Sequence, residues 1–344
     1  MSQRDHSDWL AKRRQHRKGL DPEMLFERIV KGDITALAEG ITLIESEKAS
    51  DKLKADRLIE LSLPYSGNSF RLGITGVPGV GKSTFIEAFG SKLIAEGGKL
   101  AVLAIDPTSG VSKGSILGDK TRMETLGNRE DVFIRPSAAG SSLGGVARKT
   151  REAIFLCEAA GFDHIIIETV GVGQSETVVK SMVDFFLLLM LSGAGDELQG
   201  IKKGIMEMAD AVVITKADGE NLTAAKKAAA QYKNALHLFQ PNQNGWIPET
   251  GICSSMDGSG LQEIVEMLNR FESRMHINGW KLKNREEQSG KWLIEALNER
   301  ILNAFYTDSA CLDALKEMKQ KIRRNEISPY RAAEELYKIF QAKE

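Results

Sequence analysis

The chain has 344 residues, of which 42% are hydrophobic and 27% charged, and its formal net charge is −1. This composition predicts a soluble globular protein with one large domain plus appendages, and a net charge near zero gives no reason to expect a nucleic-acid partner. The longest apolar run, 185–191, is far shorter than the roughly 20 residues that cross a bilayer, which argues against a membrane partner. Three dispersed cysteines and five histidines without ligand spacing argue against structural zinc and a disulfide framework, and we expect a reducing, cytoplasmic location.

The start of the chain divides into two predicted segments. Residues 1–21 are expected to form a flexible basic arm, because the first twenty carry six Lys or Arg against only Asp5 and Asp8. An organelle-targeting presequence is the alternative, and the two acids count against it. Residues 22–65 place apolar side chains at helical spacing with charges between them, which predicts an N-terminal helical extension.

The first chemical motif, G-x-x-x-x-G-K-S, spans 76–83 between a predicted strand and a predicted helix. Residues without a Cβ let the main chain wrap a triphosphate, the lysine reaches the β- and γ-phosphates, and the serine hydroxyl binds Mg²⁺. The following helix directs its positive N-terminus at the anion. The predicted nucleotide contacts in this loop are Gly76, Val77, Pro78, Gly79, Val80, Gly81, Lys82, Ser83 and Thr84.

From residue 66 to 280, short β-rich runs alternate with helical patterns, which predicts an α/β P-loop NTPase domain. Its sheet is expected to be mostly parallel and doubly wound, with ligands at the carboxyl ends of the strands. Residues 281–344 show long helices without strands, and Ser328 followed by Pro329 predicts an N-cap and the first residue of a helix. So thin a helical segment packs either on the sheet domain or in a subunit interface, and we favour a homodimer interface.

A second motif ends a buried strand, where Glu168 precedes Gly171 and Gly173. In P-loop enzymes an acid in this place engages the magnesium shell, and a glycine N–H meets the γ-phosphate. A solvated carboxylate at a strand end is the alternative, and the two glycines favour a switch loop. We therefore predict that Glu168 supports Mg²⁺ and that Gly171 contacts the nucleotide.

A third motif, T-K-A-D at 215–218, follows another apolar strand. An ionised carboxylate only accepts hydrogen bonds, so Asp218 pairs with the two donors of guanine and is opposed by adenine, a difference of about 1–3 kcal/mol per contact. Lys216 is expected to lie along the base plane. The alternative is a solvated turn, which aspartate also suits.

Two details qualify this guanine prediction. After the last predicted strand, Ser254 or Ser255 is expected to present a backbone N–H to the guanine oxygen. The usual form of the third motif begins with asparagine, so Thr215 is expected to lose one contact to the base and another to the P-loop.

Four runs together carry a resemblance to a known family. They are 106–109 (DPTS), 114–123 (GSILGDKTRM), 168–176 (ETVGVGQSE) and 193–204 (GAGDELQGIKKG). With them, the chain resembles the MeaB/ArgK/MMAA family of metallochaperone-type P-loop GTPases over about residues 22–340. GSILGDKTRM and GAGDELQGIKKG are far more specific than the P-loop.

The resemblance implies a GTPase chaperone for adenosylcobalamin-dependent acyl-CoA mutases, chiefly methylmalonyl-CoA mutase. GTP hydrolysis would gate loading of the cofactor and protection of the mutase. GTP or GDP and Mg²⁺ are the implied ligands of this chain, and adenosylcobalamin is expected on the partner. Members of the family are dimeric through their C-terminal helices, which agrees with the prediction for 281–344.

The resemblance also assigns roles to residues. Asp106 and Asp119 match acids of a first switch that approach Mg²⁺, and 193–204 matches a third switch that responds to the mutase, with Lys202 or Lys203 reaching toward nucleotide or partner. The implied catalytic residues are Lys82, Asp106, Asp119, Glu168 and Lys202, and the implied Mg²⁺ ligands are Ser83, Asp106, Asp119 and Glu168. Ser255 stands where the family more often has alanine, a change conservative in size.

The motifs leave the attacking water without an obvious partner. Val172 stands where small signalling GTPases place a glutamine that orients this water, and Gln174 lies at a different spacing. We therefore expect slow intrinsic hydrolysis, with the partner ordering the switches or completing the site. The alternatives are an ATP-dependent kinase or ATPase linked to basic amino-acid transport, a nickel-insertion GTPase, whose Cys and His ligands are missing here, and a GTP-sensing scaffold with negligible turnover.

Overall fold

A computed structural model describes residues 21–95, 97–105, 123–136, 143–169, 175–193, 203–239 and 242–342. The chain divides into two compact units, with the boundary between Lys281 and Leu282. The first unit is built on a seven-stranded sheet in which every neighbouring pair is parallel. Its strands are β1 Phe70–Gly76, β2 Leu100–Ile105, β3 Val132–Arg135, β4 His164–Thr169, β5 Phe185–Met190, β6 Ala211–Ile214 and β7 Glu249–Ile252.

Helices precede, connect and follow these strands. The N-terminal extension contains α1 Pro22–Val30, α2 Ile34–Ile44 and α3 Ala49–Ser62. The helices around the sheet are α4 Lys82–Leu93, α5 Glu124–Gly127, α6 Leu143–Ala159, α7 Ser175–Lys180, α8 Lys203–Met208, α9 Leu222–Leu236 and α10 Leu261–Ile277. The chain then continues through α11 Trp280–Thr307, α12 Ser309–Arg323 and α13 Pro329–Gln341.

The strand order, β3-β2-β4-β1-β5-β6-β7, reverses direction around β1. After β1 the chain moves to one side for β2 and β3, and after β4 it crosses β1 to continue on the other side. Open α/β sheets bind ligands outside the carboxyl ends of the strands at such a switch point. The predicted α/β, doubly wound fold is confirmed, and it places the end of β1 at the centre of the expected binding edge.

Helices cover both faces of the sheet, as the alternation along β5 shows. Leu187 and Leu189 pack in one core with α4 and α10, whereas Leu188 and Met190 pack in a second core with α8 and α9. Side chains of a strand point to opposite faces in turn, so a continuous apolar run is the signature of a strand buried on both sides. The run identified in the sequence at 185–191 contains this strand, β5.

The N-terminal extension is fixed to the sheet by polar contacts as well as apolar ones. The Arg135 guanidinium, at the end of β3, donates to the Thr42 hydroxyl at 3.2 Å and to the Glu45 carboxylate, both on the α2 side. Asp21 accepts the Glu23 N–H at 2.9 Å and so caps α1, one residue before the predicted start of the extension. The extension therefore reaches the carboxyl edge of the sheet.

A buried ion pair anchors the beginning of β1. Arg71 forms two hydrogen bonds of 2.9 Å with Glu158 of α6, and both side chains are at most 3% exposed. The same carboxylate accepts from the Ser69 hydroxyl at 2.6 Å and from the Gly67 N–H at 2.8 Å. The attraction within a buried ion pair offsets the free-energy cost of desolvating the two charges only when further hydrogen bonds satisfy their remaining polar atoms. The bonds from Ser69 and Gly67 do this for the Glu158 carboxylate.

The second unit has a small apolar core of its own. Met318, Ala332 and Leu336 are buried between α12 and α13. Ser328 accepts the Arg331 N–H at 3.3 Å and Pro329 opens α13, which confirms the predicted helix start. Among the residues described above, no helix combines the length and the apolar character that a membrane crossing requires.

Candidate functional site

The P-loop leaves the central strand and turns into α4. Gly79 and Gly81 have φ of +79° and +88°, a region that L side chains rarely adopt, and Gly81 is the N-cap of α4. A Cβ on Gly76 would stand 2.6 Å from the carbonyl oxygen of Leu189 on β5. Glycine is therefore required at all three positions. Backbone N–H groups and the positive end of α4 meet at this loop, which makes it an anion site.

The exposure of the loop residues distinguishes those that pack in the protein core from those that can contact a nucleotide. Val80 is buried in the core, and its N–H donates to the carbonyl of Val77 at 3.2 Å. Pro78, Gly79 and Thr84 are exposed, and Ser83 is half-buried in the first turn of α4. The tip of the loop and one side of the first helical turn are thus accessible to a nucleotide.

Lys82 lies across this loop. Its ammonium donates to the Gly76 carbonyl at 3.0 Å. Burial lowers the pKa of Lys82, an effect opposed by the negative charges of Glu168 and Glu176. A partly desolvated ammonium on the phosphate loop is placed to bind phosphate oxygens, whose negative charge would compensate for its lost hydration.

The end of β4 supplies the acid beside the loop. Glu168 stands opposite Ile74 in the parallel register and is half-buried. One residue on, the Thr169 hydroxyl donates to the Thr75 hydroxyl at 2.7 Å, and this buried bond joins the ends of β4 and β1. Mg²⁺ prefers oxygen ligands, and the Glu168 carboxylate and the Ser83 hydroxyl, both accessible at the same edge, fit it.

Glu176 is a site residue that the sequence motifs did not indicate. It lies in the first turn of α7, is only 4% exposed and acts electrostatically on Lys82. Glu176 is the last residue of the ETVGVGQSE run. The sequence does not indicate that the helix after the glycines brings this side chain close enough to Lys82 to interact with its charge.

The T-K-A-D loop at 215–218 is attached directly to the P-loop. Thr215 is 2% exposed; its N–H donates to the carbonyl of Met190 at 2.9 Å, and its hydroxyl donates to the carbonyl of Val80 at 2.8 Å. The expectation that Thr215 loses its contact to the P-loop is therefore wrong. A threonine side chain at the end of β6 is long enough for its hydroxyl to reach the Val80 carbonyl.

We expect Thr215→Val to weaken both folding and nucleotide binding, because it keeps the shape and removes the hydroxyl that satisfies Val80. The free energy of unfolding should fall by about 1–3 kcal/mol, with a several-fold higher Kd for GDP. Denaturant melts and GDP titrations measure the two effects, with Thr223→Val on the exposed side of α9 as the control. Equal behaviour of the two variants would contradict this role.

Lys216 follows in a strained conformation. Its φ is +55°, and its ammonium donates to the Gly79 carbonyl at 2.9 Å. The exposed stem of Lys216 thus runs over the tip of the P-loop, 3.8 Å from where a Cβ on Gly81 would be. A flat aliphatic stem beside the phosphate loop is a suitable surface for one face of a purine.

Asp218 is held by the turn that follows β7. Its carboxylate accepts from the Ser254 hydroxyl at 2.6 Å, and the neighbouring Ala217 N–H donates to the Cys253 carbonyl at 3.0 Å. These bonds join the T-K-A-D loop to the end of the edge strand. Asp218 is therefore oriented by its neighbours before any base arrives.

The role predicted for Ser254 needs correction. Its N–H donates to the carbonyl of Ser259 at 2.9 Å, so this N–H is engaged within the turn. Ser254 instead orients Asp218 through its hydroxyl. Ser255, half-buried in the same turn, keeps the predicted role of N–H donor to the guanine oxygen.

Four predicted site residues lie outside the described residues: Asp106, Asp119, Gly171 and Lys202. The roles of Asp106, Asp119 and Lys202 rest on the family resemblance, and the role of Gly171 rests on its position three residues after Glu168. Each belongs to a segment that begins at the carboxyl end of a strand, after β2, β4 or β5, at the same edge as the P-loop.

Comparison with known proteins identifies a family to which the chain is similar. The family model described as "Methylmalonyl Co-A mutase-associated GTPase MeaB" matches residues 37–310. The "GTPase ArgK" of Escherichia coli is 43% identical over 314 residues, 91% of this chain and 95% of that protein. The "Methylmalonic aciduria type A homolog, mitochondrial" of Mus musculus is 41% identical over 350 residues, 99% of this chain and 83% of that protein.

Two further relatives agree with this family match. A "Putative GTPase" of Caulobacter vibrioides is 48% identical over 321 residues, 93% of this chain and 98% of that protein. A solved structure, described as the crystal structure of "LAO/AO transport system kinase", superposes with a TM-score of 0.75 at 36% identity, covering 93% of this chain and 97% of that one. The likeness extends over nearly the full length in each case.

Proposed function

The chain is a P-loop GTPase of the MeaB family, and from this premise we propose that GTP hydrolysis gates adenosylcobalamin loading and protection of methylmalonyl-CoA mutase or a related acyl-CoA mutase. One observation carries the nucleotide part of the proposal. Thr215 and Lys216 each donate a hydrogen bond to a carbonyl of the P-loop. Base recognition and phosphate binding are thereby parts of one connected site.

The described residues of that site have separate roles in binding the phosphates, Mg²⁺ and the base. Lys82 and the N-terminus of α4 stabilise the negative charge that the phosphates develop during hydrolysis. Ser83 and Glu168 would hold Mg²⁺, which when bound neutralises charge on the phosphate oxygens. Asp218 accepts from the guanine donors, and Lys216 covers one face of the base. We assign Asp106, Asp119 and Lys202 to the switches by the family resemblance, and Gly171 by its position three residues after Glu168.

The names of the relatives support the choice of partner. The family model describes mutase-associated GTPases, and the Mus musculus relative is named for methylmalonic aciduria. We place adenosylcobalamin on the mutase. Burial raises the pKa of Cys157, and it raises the pKa of Cys253 to about 12, which makes both poor metal ligands.

We also propose that the second unit forms a homodimer interface. Leu293, Leu297 and Ile301, spaced four residues apart on α11, are 68%, 48% and 50% exposed. Such a stripe lies along one face of a helix, and exposed apolar stripes of this kind mark interaction surfaces. A second copy of α11 would cover it.

The experiment for the enzymatic part compares wild type with Glu168→Gln, which keeps the size of the side chain and removes its charge. We expect GTP turnover in the presence of the mutase to fall about 10²-fold, while binding of the mutase persists. Glu263→Gln, exposed on α10, is the matched control. A scaffold would give the opposite pattern, in which turnover is negligible in every variant and mutase binding is the only activity.

The rival function is a kinase or ATPase linked to transport of basic amino acids, as the name of the related crystal structure suggests. The Asp218 carboxylate, fixed by Ser254, favours guanine over adenine. Equal turnover of ATP and GTP would support the rival and count against the mutase proposal.

A further inference from the structure

Strand β7 leaves one edge of the sheet open. It is the last strand in the sheet, and among the described residues only β6 pairs with it. The N–H groups of Glu249 and Cys253 donate to carbonyls of the β6 segment at 3.3 and 2.9 Å. Since alternate residues of a parallel strand bond to the same neighbour, Thr250 and Ile252 direct their backbone groups away from the sheet. A Cβ on Gly260 would stand 2.0 Å from the carbonyl oxygen of Ile252, so this oxygen is covered and the other outward groups are open.

The open edge is the floor of a groove between α9 and α10, which we call the β7 groove. Its α9 wall consists of Leu222, Lys226 and Ala229, spaced four and three residues apart on one face of the helix. Leu222 is 37% exposed, and Ala229 is half-buried. Apart from the ammonium of Lys226, this wall is apolar and suits small apolar side chains.

The α10 wall of the groove is acidic. Glu263 and Glu266 are exposed, and in the part of the chain that the structure describes neither of them forms an ion pair. Arg270 lies farther along the same face of α10, but its guanidinium is bound to the Glu249 carboxylate at 2.7 Å. Gly251, on the α10 face of β7, has no side chain to fill the space beside this wall. The wall therefore offers two uncompensated carboxylates and room to reach them.

We propose that the β7 groove binds an extended segment of a partner protein in which basic and apolar side chains alternate. Such a segment would add a strand to the sheet, and its main chain would bond to the open backbone groups of Thr250 and Ile252. Successive side chains of a strand point to opposite faces. Every second residue would therefore meet Glu263 and Glu266, and the others would lie against the α9 wall. Charge complementarity favours a basic segment over an acidic one.

A second copy of the chain fits this edge less well. Two β7 strands paired antiparallel are related by a two-fold axis normal to the sheet, which places α10 of one copy beside α10 of the other. Glu263 and Glu266 would then face the same acids across the interface, and like charges in opposition disfavour association. The groove is therefore assigned to a different protein, and this assignment depends neither on the nucleotide nor on the mutase.

The first test uses a fluorescent hexapeptide of alternating valine and lysine, compared with one of alternating valine and glutamate. We expect anisotropy titrations to show binding of the lysine peptide only. Glu266→Lys should weaken this binding about fivefold, whereas Glu27→Lys, exposed on α1, is the matched control and should bind as wild type. Thr250→Pro removes an outward N–H, spares the bonds to β6 and should weaken binding about tenfold. Equal binding of both peptides, or unchanged binding by Glu266→Lys, would overturn the proposal.

The second test is hydrogen exchange over 248–253, measured without nucleotide or mutase. In the free protein we expect the open amides of Thr250 and Ile252 to exchange fast, and we expect the lysine hexapeptide to slow both. Peptide binding that leaves both amides fast would overturn the proposal, because no strand would have been added. Slow exchange in the free protein would also overturn it. Faster exchange on dilution would then assign the edge to a second copy, and faster exchange on removal of residues 1–20 would assign it to the chain's own basic arm.

Discussion

Replacing Lys82 with alanine is expected to lower kcat/KM for GTP by about 10³-fold, which corresponds to ~4 kcal/mol of transition-state stabilisation. The structure places the Lys82 ammonium on the phosphate loop, 3.0 Å from the carbonyl oxygen of Gly76. Without it, the negative charges of Glu168 and Glu176 near the phosphates would lose the ammonium that offsets them. The variant should therefore lose binding of GTP as well as turnover.

The measurement is single-turnover hydrolysis of GTP together with GTP binding, in the presence of the mutase. Lys92→Ala, exposed at the other end of α4, is the matched control and should behave as wild type. Lys82→Arg keeps the charge on a larger, planar group and should recover binding better than turnover. Hydrolysis by Lys82→Ala within tenfold of wild type would contradict the placement of the phosphates.

Replacing Asp218 with asparagine is expected to change the preferred base from guanine to xanthine. The carboxylate accepts from both guanine donors, whereas an asparagine amide offers one acceptor and one donor and so matches the 2-oxo group of xanthine. The Ser254 hydroxyl still has an oxygen to bond, so the loop should keep its shape. GTP affinity should fall about 10²-fold, since a donor then opposes a donor.

Titrations with GTP and XTP measure this exchange. Asp257→Asn, exposed in the turn after β7, is the control for loss of a negative charge nearby. Loss of both nucleotides in Asp218→Asn with an intact melting profile would show that Asp218 supports the loop and does not contact the base.

Much of the fold was predictable because each strand has a local signature. The apolar run of β5 and the P-loop between β1 and α4 predict a parallel sheet with phosphate at its carboxyl edge, and the structure confirms both the strands and their parallel pairing. Ser328 and Pro329 likewise predict the start of α13, because an N-cap and a proline at the first helical position are adjacent in the sequence. Local propensities and periodicities agree with the fold at these positions.

The missed features depend on contacts between residues that are distant in sequence. Thr215 bonds to Val80, 135 residues away, and nothing near Thr215 indicates that its hydroxyl reaches the P-loop. The engagement of the Ser254 N–H depends on the turn that closes on Ser259. Asn221 resembles an ordinary helix cap in sequence, and nothing near it indicates that its side-chain oxygen accepts from the Ser192 hydroxyl, 29 residues away.

We propose that this GTPase serves an adenosylcobalamin-dependent mutase. The most direct test of this claim is steady-state hydrolysis of GTP and ATP, each measured alone and with purified methylmalonyl-CoA mutase from the same organism. We predict slow turnover alone, selectivity for GTP and a rise in GTP turnover when the mutase is added. Turnover that the mutase leaves unchanged, or that favours ATP, would contradict the claim.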